Sequence, residues 1–223
     1  MKSYTVKIES IYHVTPDVLR IVVNKPLWFD FEPGRATEIS INKDAWLKEK
    51  RPFTMTSLPE NNFLEFMIKT YPERKGVTNE LLHLKKDDEL ILHDVFGAIA
   101  YKGEGVFIAG GAGVTPFISI LRDLKVKDKI GKNMLLFANK TKADILLEKE
   151  FENLLGTAFV NILSDEQVDG YSFGRITEEF LKENIENFNQ QFYLCGPPPM
   201  MKEMEETLKN LGVNTDLITK ETY

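Results

Sequence analysis

Gly105-Val-Phe-Ile-Ala-Gly110-Gly-Ala-Gly113-Val-Thr-Pro116-Phe117 is the stretch on which the reading of the fold turns. A short apolar run, predicted as a buried strand, enters a cluster of glycines, and a helical pattern opens at Pro116. Gly111 and Gly113 would let the backbone come close to a phosphate, and the N-terminus of the following helix supplies unpaired N–H groups at a positive dipole end. Pro116 suits the first helical position, where no amide hydrogen is needed. The plainer alternative is a tight strand–helix turn with no ligand. The stretch also departs from the usual dinucleotide fingerprint. Pro116 stands where the third glycine would be, and the next strand ends in Asn139-Lys140 with no acid to hold a ribose.

Downstream of this turn, strands and helices alternate. Strands are predicted over Met134–Ala138, Ala158–Leu163, Phe192–Leu194 and Leu217–Thr219. Helices are predicted over Pro116–Leu124, Asp144–Leu155, Thr177–Glu183 (capped by Thr177) and Met200–Leu211 (ended by Gly212). Such alternation implies an α/β parallel sheet.

Upstream, the pattern is of another kind. Tyr4–His13, Val18–Asn24, Ala36–Asn42, Arg51–Leu58, Phe63–Thr70 and Glu89–Asp94 alternate apolar and polar residues between turn signals. They are predicted as antiparallel strands of a small closed β-barrel, interrupted by one helix over Val77–Leu84 with Thr78 as N-cap. The chain therefore reads as two domains, 1–102 and 103–223, with no internal repeat.

Composition narrows the function classes. The 223 residues include 28 Lys plus Arg against 34 Asp plus Glu, a formal net charge of −6. That balance argues against a nucleic-acid surface, which needs clustered cations. One cysteine, Cys195, excludes an internal disulfide, a cysteine-ligated iron–sulfur cluster and a structural zinc site, and His13, His83 and His93 show no metal-ligand spacing, so no metal is expected. No run approaches the length of a membrane span, and the polar N-terminus resembles no signal peptide, so a cytoplasmic location is the default expectation.

Two further motifs join the glycine turn. Tyr193-Leu-Cys195-Gly-Pro-Pro-Pro199-Met leaves a strand, turns at Gly196 and opens a helix after prolines. It is either a second ligand-facing strand end or a buried cysteine beside a rigid turn. In the first half, Arg51-Pro52-Phe53-Thr54 offers a guanidinium for a phosphate, an aromatic for a flat ring and a hydroxyl for its edge. Gly76-Val77-Thr78, at a predicted helix start, is a second phosphate seat. Without context, Arg51 reads as a surface charge and Phe53 as a core aromatic.

Taken together and in this order, these motifs resemble the ferredoxin–NADP reductase superfamily, of flavodoxin-reductase type, over nearly the whole chain. Arg51-Pro52-Phe53-Thr54 is similar to its flavin motif, and Gly76-Val77-Thr78 to its diphosphate segment. Gly110–Pro116 and Cys195–Met200 are similar to its two nicotinamide-nucleotide motifs. The resemblance implies a flavin-binding barrel followed by a nicotinamide-nucleotide domain, with FAD as cofactor and NAD(P)H as substrate. By it, Arg51 would contact the flavin phosphate, Phe53 would lie against the isoalloxazine, and Thr54 would bond to N5. Ile68 and Lys69 would line the ribityl side, partly through backbone. Gly111, Gly113, Thr115 and Pro116 would hold NAD(P)H, with Cys195, Gly196 and Pro197 beside the nicotinamide. Glu221 and Tyr223 match the family's terminal pattern, Tyr223 stacking on the flavin and Glu221 serving as a proton route.

The implied reaction is hydride transfer from NAD(P)H to the flavin, with electrons then released to a separate acceptor such as flavodoxin or ferredoxin. Lys48, Lys50, Lys69, Arg74 and Lys75 cluster in sequence around the flavin site, as either a solvated surface or a docking face for such an acidic partner. NADP-specific relatives place Ser-Arg after the third strand of this domain. Here Ser164-Asp165-Glu166 stands there, which favours NADH, unless Lys140 or Lys142 compensates. Two other readings are a free-flavin or ferric-chelate reductase and a non-catalytic electron-relay subunit.

Overall fold

The structure, a computed structural model, describes residues 3–221. The chain divides into two compact units. One takes in the chain up to Ala100 together with Thr115–Asp123, and the other takes in Tyr101–Val114 and the chain from Leu124 onward.

In the first unit, β1 (Tyr4–Thr15), β2 (Val18–Asn24), β3 (Ala36–Ile41), β4 (Arg51–Thr54), β5 (Phe63–Lys69) and β6 (Glu89–Phe96) form one antiparallel sheet in the order β4-β3-β6-β1-β2-β5. A bridge between Met55 and Phe66 joins its two ends, closing the expected barrel. Alternate residues (Val6, Ile8; Ile21, Val23; Ile39, Ile41) fill the interior, each at most 1% exposed. Burial of this kind stabilises by about 1.5–3 kcal/mol per large aliphatic side chain.

Two local expectations are corrected here. The strand predicted over Arg51–Leu58 stops at Thr54, because the next residues change partner. Met55 bridges to Phe66, and Thr56 N donates to the Glu65 carbonyl at 2.8 Å. The predicted helix is a single α-turn, α1 (Val77–Glu80), tightening to a 3₁₀ turn over Leu81–His83. Its cap is Gly76 in extended conformation with no side-chain bond, so Thr78 lies inside the first turn.

In the second unit, β7 (Gly105–Gly110), β8 (Met134–Asn139), β9 (Phe159–Leu163), β10 (Ser172–Phe173), β11 (Gln191–Cys195) and β12 (Ile218–Lys220) form a parallel sheet in the order β10-β9-β8-β7-β11-β12. Strand β7 is buried at every position, as suits a continuous apolar run between two neighbours. The helices of this unit are α3 (Glu148–Leu155), α4 (Glu178–Asn184) and α5 (Pro198–Asn210), while α2 (Thr115–Val126), which follows the turn after β7, falls with the first unit as far as Asp123. Thr177 caps α4 by accepting from Phe180 N at 3.2 Å, and Gly212, with φ +81°, follows the end of α5, both as expected.

The helix expected from Asp144 instead begins at Glu148. Asp144 Oδ2 accepts from both the amide and the hydroxyl of Thr141, at 2.9 and 2.8 Å, so the intervening residues close a 3₁₀ turn. Leu147 then adopts φ +53°, which blocks a continuous helix. The two-residue β10 is too short to leave a periodic signal.

Candidate functional site

Strand β4 carries the Arg-Pro-Phe-Thr motif on the rim of the barrel. The Arg51 side chain is 47% exposed, and its contacts are with neighbours in sequence: the Lys50 carbonyl at 2.6 Å and the Glu49 carboxylate at 3.3 Å. Phe53 packs one side on the barrel core, and Thr54 is half-buried at the end of the strand. On the neighbouring loop, Gly76 is extended, and no atom lies within 4 Å of where a Cβ would stand. An exposed guanidinium, a half-buried ring and an open glycine suit the phosphates and flat ring of FAD. Ile68 is 1% exposed in the core, so only its backbone can face a ligand, and Lys69 is paired with Asp17 at 2.5 Å.

What fixes the end of β4 was not apparent in the sequence. Glu65, 3% exposed, receives Arg122 Nη1 at 2.6 Å, Arg20 Nε at 2.7 Å and the Thr56 hydroxyl at 2.8 Å. Arg122 also donates to the Thr56 carbonyl at 2.9 Å. Burial pushes the Glu65 carboxyl up, but Arg122, the Thr56 hydroxyl and Arg20 outweigh it and hold the group below its ordinary value. Ser119, also on α2, accepts from Gly34 N at 2.9 Å, where φ is +89° and a side chain would strike the Ile99 carbonyl. Only their alternation and helical spacing marked Glu65, Arg122 and Ser119, and that reads as surface or core.

In the second unit the order of strands reverses between β7 and β11, and the crevice at such a switch point is where doubly wound sheets bind ligands. Gly110–Val114 leaves β7 and Cys195–Pro197 leaves β11. Their glycines differ in kind. A Cβ at Gly113 would collide with the Cys195 carbonyl, and one at Gly110 with Met200 and Pro197, so both are needed for packing. Gly111 has φ +51° and open space around its Cβ position, which makes it the point where backbone can approach a diphosphate. Gly111–Val114 forms a 3₁₀ turn, so α2 starts at Thr115, with Pro116 inside its first turn. Thr115 and Pro116 fall with the barrel unit, and Cys195 is buried at 4% exposure.

Beyond the turn, β8 and β9 end side by side, with Ser164 N donating to the Asn139 carbonyl at 3.0 Å. Asp165 accepts from the Ser164 hydroxyl at 2.6 Å, and Glu166 accepts from Lys142 N at 2.7 Å. The Lys142 ammonium lies 4.9 Å from the centre of the Tyr171 ring. Glu221 borders a shallow cleft with Pro198, Met201 and Lys220, while Tyr223 lies outside the described residues. Of the expected docking cations, Lys50 and Lys69 are paired with Glu38 and Asp17. Among the described residues no cluster of His, Cys, Asp or Glu is built to hold a metal, and no helix is long and apolar enough to cross a membrane.

A barrel with a phosphate-ready rim, followed by a doubly wound sheet with a glycine turn at its switch point, defines a flavin- and nicotinamide-nucleotide-binding class. Comparison with known proteins agrees. A family model described as an FAD-binding domain matches residues 3–115, and one described as an oxidoreductase NAD-binding domain matches residues 107–206. The reductase component of propane 2-monooxygenase from Mycolicibacterium smegmatis is 30% identical over 215 residues, 87% of this chain and 60% of that protein. NADH-cytochrome b5 reductase 2 of Rattus norvegicus is 29% identical over 80% of this chain and 78% of its own length. The fold matches a ferredoxin NADP+ reductase from Neisseria gonorrhoeae with bound FAD and NADP, at a TM-score of 0.84 and 18% identity, over 99% of this chain and 98% of that one. The chain belongs to the FAD-binding-domain family whose model spans its first half, and it carries an oxidoreductase NAD-binding domain in its second. It spans less than two thirds of the length of the propane 2-monooxygenase component.

Proposed function

We propose that this protein takes electrons from NADH through bound FAD and passes them to a separate redox protein, such as a flavodoxin or ferredoxin. The observation that carries the reading is the pairing, in one chain, of a phosphate-ready barrel rim at Arg51–Thr54 with an open glycine turn at Gly111. FAD supplies the chemistry, accepting a hydride and releasing its electrons singly, while the protein binds and orients.

In this reading Arg51 and the backbone at Gly76–Thr78, including Val77, hold the flavin phosphates. Pro52 and Phe53 shape the ring's seat, Thr54 donates to its edge, and Ile68 and Lys69 flank the ribityl chain. Gly111, Thr115 and Pro116 present the nucleotide's diphosphate to backbone N–H groups, and Gly113 sets the turn against Cys195. Cys195, Gly196 and Pro197 bound the nicotinamide, so Thr54 and Cys195 act by orientation. The barrel domain is read as 1–102 and the nucleotide domain as 103–223. Asp165 and Glu166 at the end of β9 disfavour a 2′-phosphate, which supports NADH over NADPH. The propane 2-monooxygenase relative, a reductase component by name, supports a protein acceptor.

The test is the visible spectrum of the purified protein and its anaerobic titration with NADH and NADPH. A flavin band that bleaches faster with NADH supports the reading, and a protein that takes up no FAD overturns it. Turnover of free flavin or ferric chelates with no redox protein able to serve would favour the free-flavin reductase. Nucleotide binding without bleaching would favour an electron-relay subunit.

A further inference from the structure

Helix α2 begins at Thr115 and Pro116, read above as part of the nucleotide's diphosphate seat, yet Thr115–Asp123 belongs to the same compact unit as strand β4 and its Thr54. Two buried ties hold α2 in that unit. At the first, Ser119 Oγ accepts from Gly34 N at 2.9 Å, and the carbonyl of the next residue, Arg35, accepts from Met55 N at 3.1 Å. At the second, Arg122 Nη1 donates to the Thr56 carbonyl at 2.9 Å and to Glu65 Oε1 at 2.6 Å, while Glu65 also takes the Thr56 hydroxyl at 2.8 Å. Both ties end on Met55 and Thr56, the two residues that follow Thr54.

Stability alone does not call for an ion pair here, since apolar side chains of similar volume often serve a buried site as well. A charged fork bonded to a carboxylate and a carbonyl adds a fixed geometry. Ser119 and Arg122 lie three residues apart, on one face of the helix. An α-helix is stiff over so short a length, so holding them holds Thr115, about 6 Å from Ser119 along the axis. Group transfer between bound partners is sensitive to such placement: a shift of about 1 Å costs on the order of 100-fold in rate.

We infer that Arg122, anchored on Glu65, is a positioning residue for the transfer of a hydride from NADH, which leaves as NAD+, to FAD. It holds the start of α2 in register with the end of the flavin-motif strand. The inference rests on the proposed reading of α2's start as nucleotide seat and of β4 as flavin strand. Arg20 supplies an internal contrast, because it holds the same carboxylate at 2.7 Å from β2 rather than from α2.

The test mixes FAD-loaded wild type, Arg122→Ala and Arg20→Ala anaerobically with NADH in a stopped flow. Bleaching of the flavin band gives a limiting rate and a half-saturating NADH concentration. Melting temperature, flavin retention and calorimetric NAD+ affinity are read alongside. Arg122→Ala is expected to lower the limiting rate about 10- to 100-fold while NAD+ affinity and flavin retention stay within about twofold. Arg20→Ala is expected to lower the melting temperature and keep the wild-type limiting rate. Should Arg122→Ala fail to fold, Arg122→Met, which fills the space, is read in its place. An unchanged limiting rate in the Arg122 variant, a loss confined to NAD+ affinity, or an equal fall in Arg20→Ala overturns the inference alone. Wild-type protein that takes up no FAD, or whose flavin NADH does not bleach, overturns the proposed function and the inference with it.

Discussion

Arg122 Nη1 stands 2.6 Å from Oε1 of Glu65, a carboxylate 3% exposed that Arg20 holds by its other oxygen. Two cations around one buried acid tie helix α2 to strands β2 and β5, and through the Thr56 carbonyl to the end of the flavin-motif strand. Removing one partner of a buried pair costs about 3–5 kcal/mol, because the other charge stays behind. Arg20 remains to serve Glu65, so Arg122→Ala should fall near 3 kcal/mol. Urea denaturation of wild-type and variant protein at saturating FAD measures it.

The same carboxylate gives stability a pH dependence. Its value is lower folded than unfolded, so the unfolded chain takes up the proton first as pH falls. The contribution is therefore full above the ordinary carboxylate value and drains away as pH drops below about 4. Glu65→Gln should be less stable than wild type at neutral pH, and the gap should narrow in acid. Midpoints of denaturation across pH read this directly, and a constant gap would contradict it.

Gly111 and Gly113 should respond differently to alanine. At Gly113 the added methyl meets the Cys195 carbonyl, which cannot move without breaking the end of β11, so Gly113→Ala should lower the melting temperature steeply. At Gly111 the methyl has room, and the cost is the positive φ, about 1–2 kcal/mol. Gly111→Ala should fold, retain its flavin spectrum and bind NADH more weakly. Circular dichroism melts and nucleotide titrations separate the two effects.

For Arg51→Ala the expectation is the reverse of a core change. Its exposed side chain contacts only sequence neighbours, so the melting temperature of flavin-free protein should stay within about a degree. FAD affinity should fall roughly 10- to 100-fold, as for the loss of one charge-assisted hydrogen bond of about 1.5–3 kcal/mol. Ultrafiltration of the holoprotein reports the released flavin.

Tyr193 tests the second unit alone. Its hydroxyl accepts from Lys102 N at 2.8 Å and donates to the Gly103 carbonyl at 2.7 Å, and its ring stacks with Phe107, centroids 4.4 Å apart, and with Tyr101 at 5.9 Å. Burial pushes the phenol up to about 12. Tyr193→Phe keeps the stack but strands two backbone groups, so it should cost about 1–3 kcal/mol and leave the flavin spectrum unchanged.

Much of this architecture was legible in consecutive residues. The alternating runs before Ala100 and the strand–helix alternation after Gly105 carry their own periods, and Gly212 and Thr177 mark helix ends by chemistry that needs no distant partner. The misread ends share a cause. Arg51–Leu58 looks like one strand, yet Met55 and Thr56 pair with Phe66 and Glu65, and nothing local announces a change of partner. Asp144 looks like the start of a helix, yet its carboxylate turns back to Thr141.

By itself the sequence determined the two fold classes, the order of the motifs and the family, because glycine, proline and apolar period act within a few residues of one another. Only the tertiary structure decided that Gly113 is a packing glycine and Gly111 an open one. It alone revealed that Glu65 sits between Arg20 and Arg122. Those properties belong to residues brought together across the chain, 57 positions apart for Glu65 and Arg122. Burial and the sign of a charge's surroundings exist only once the chain has folded.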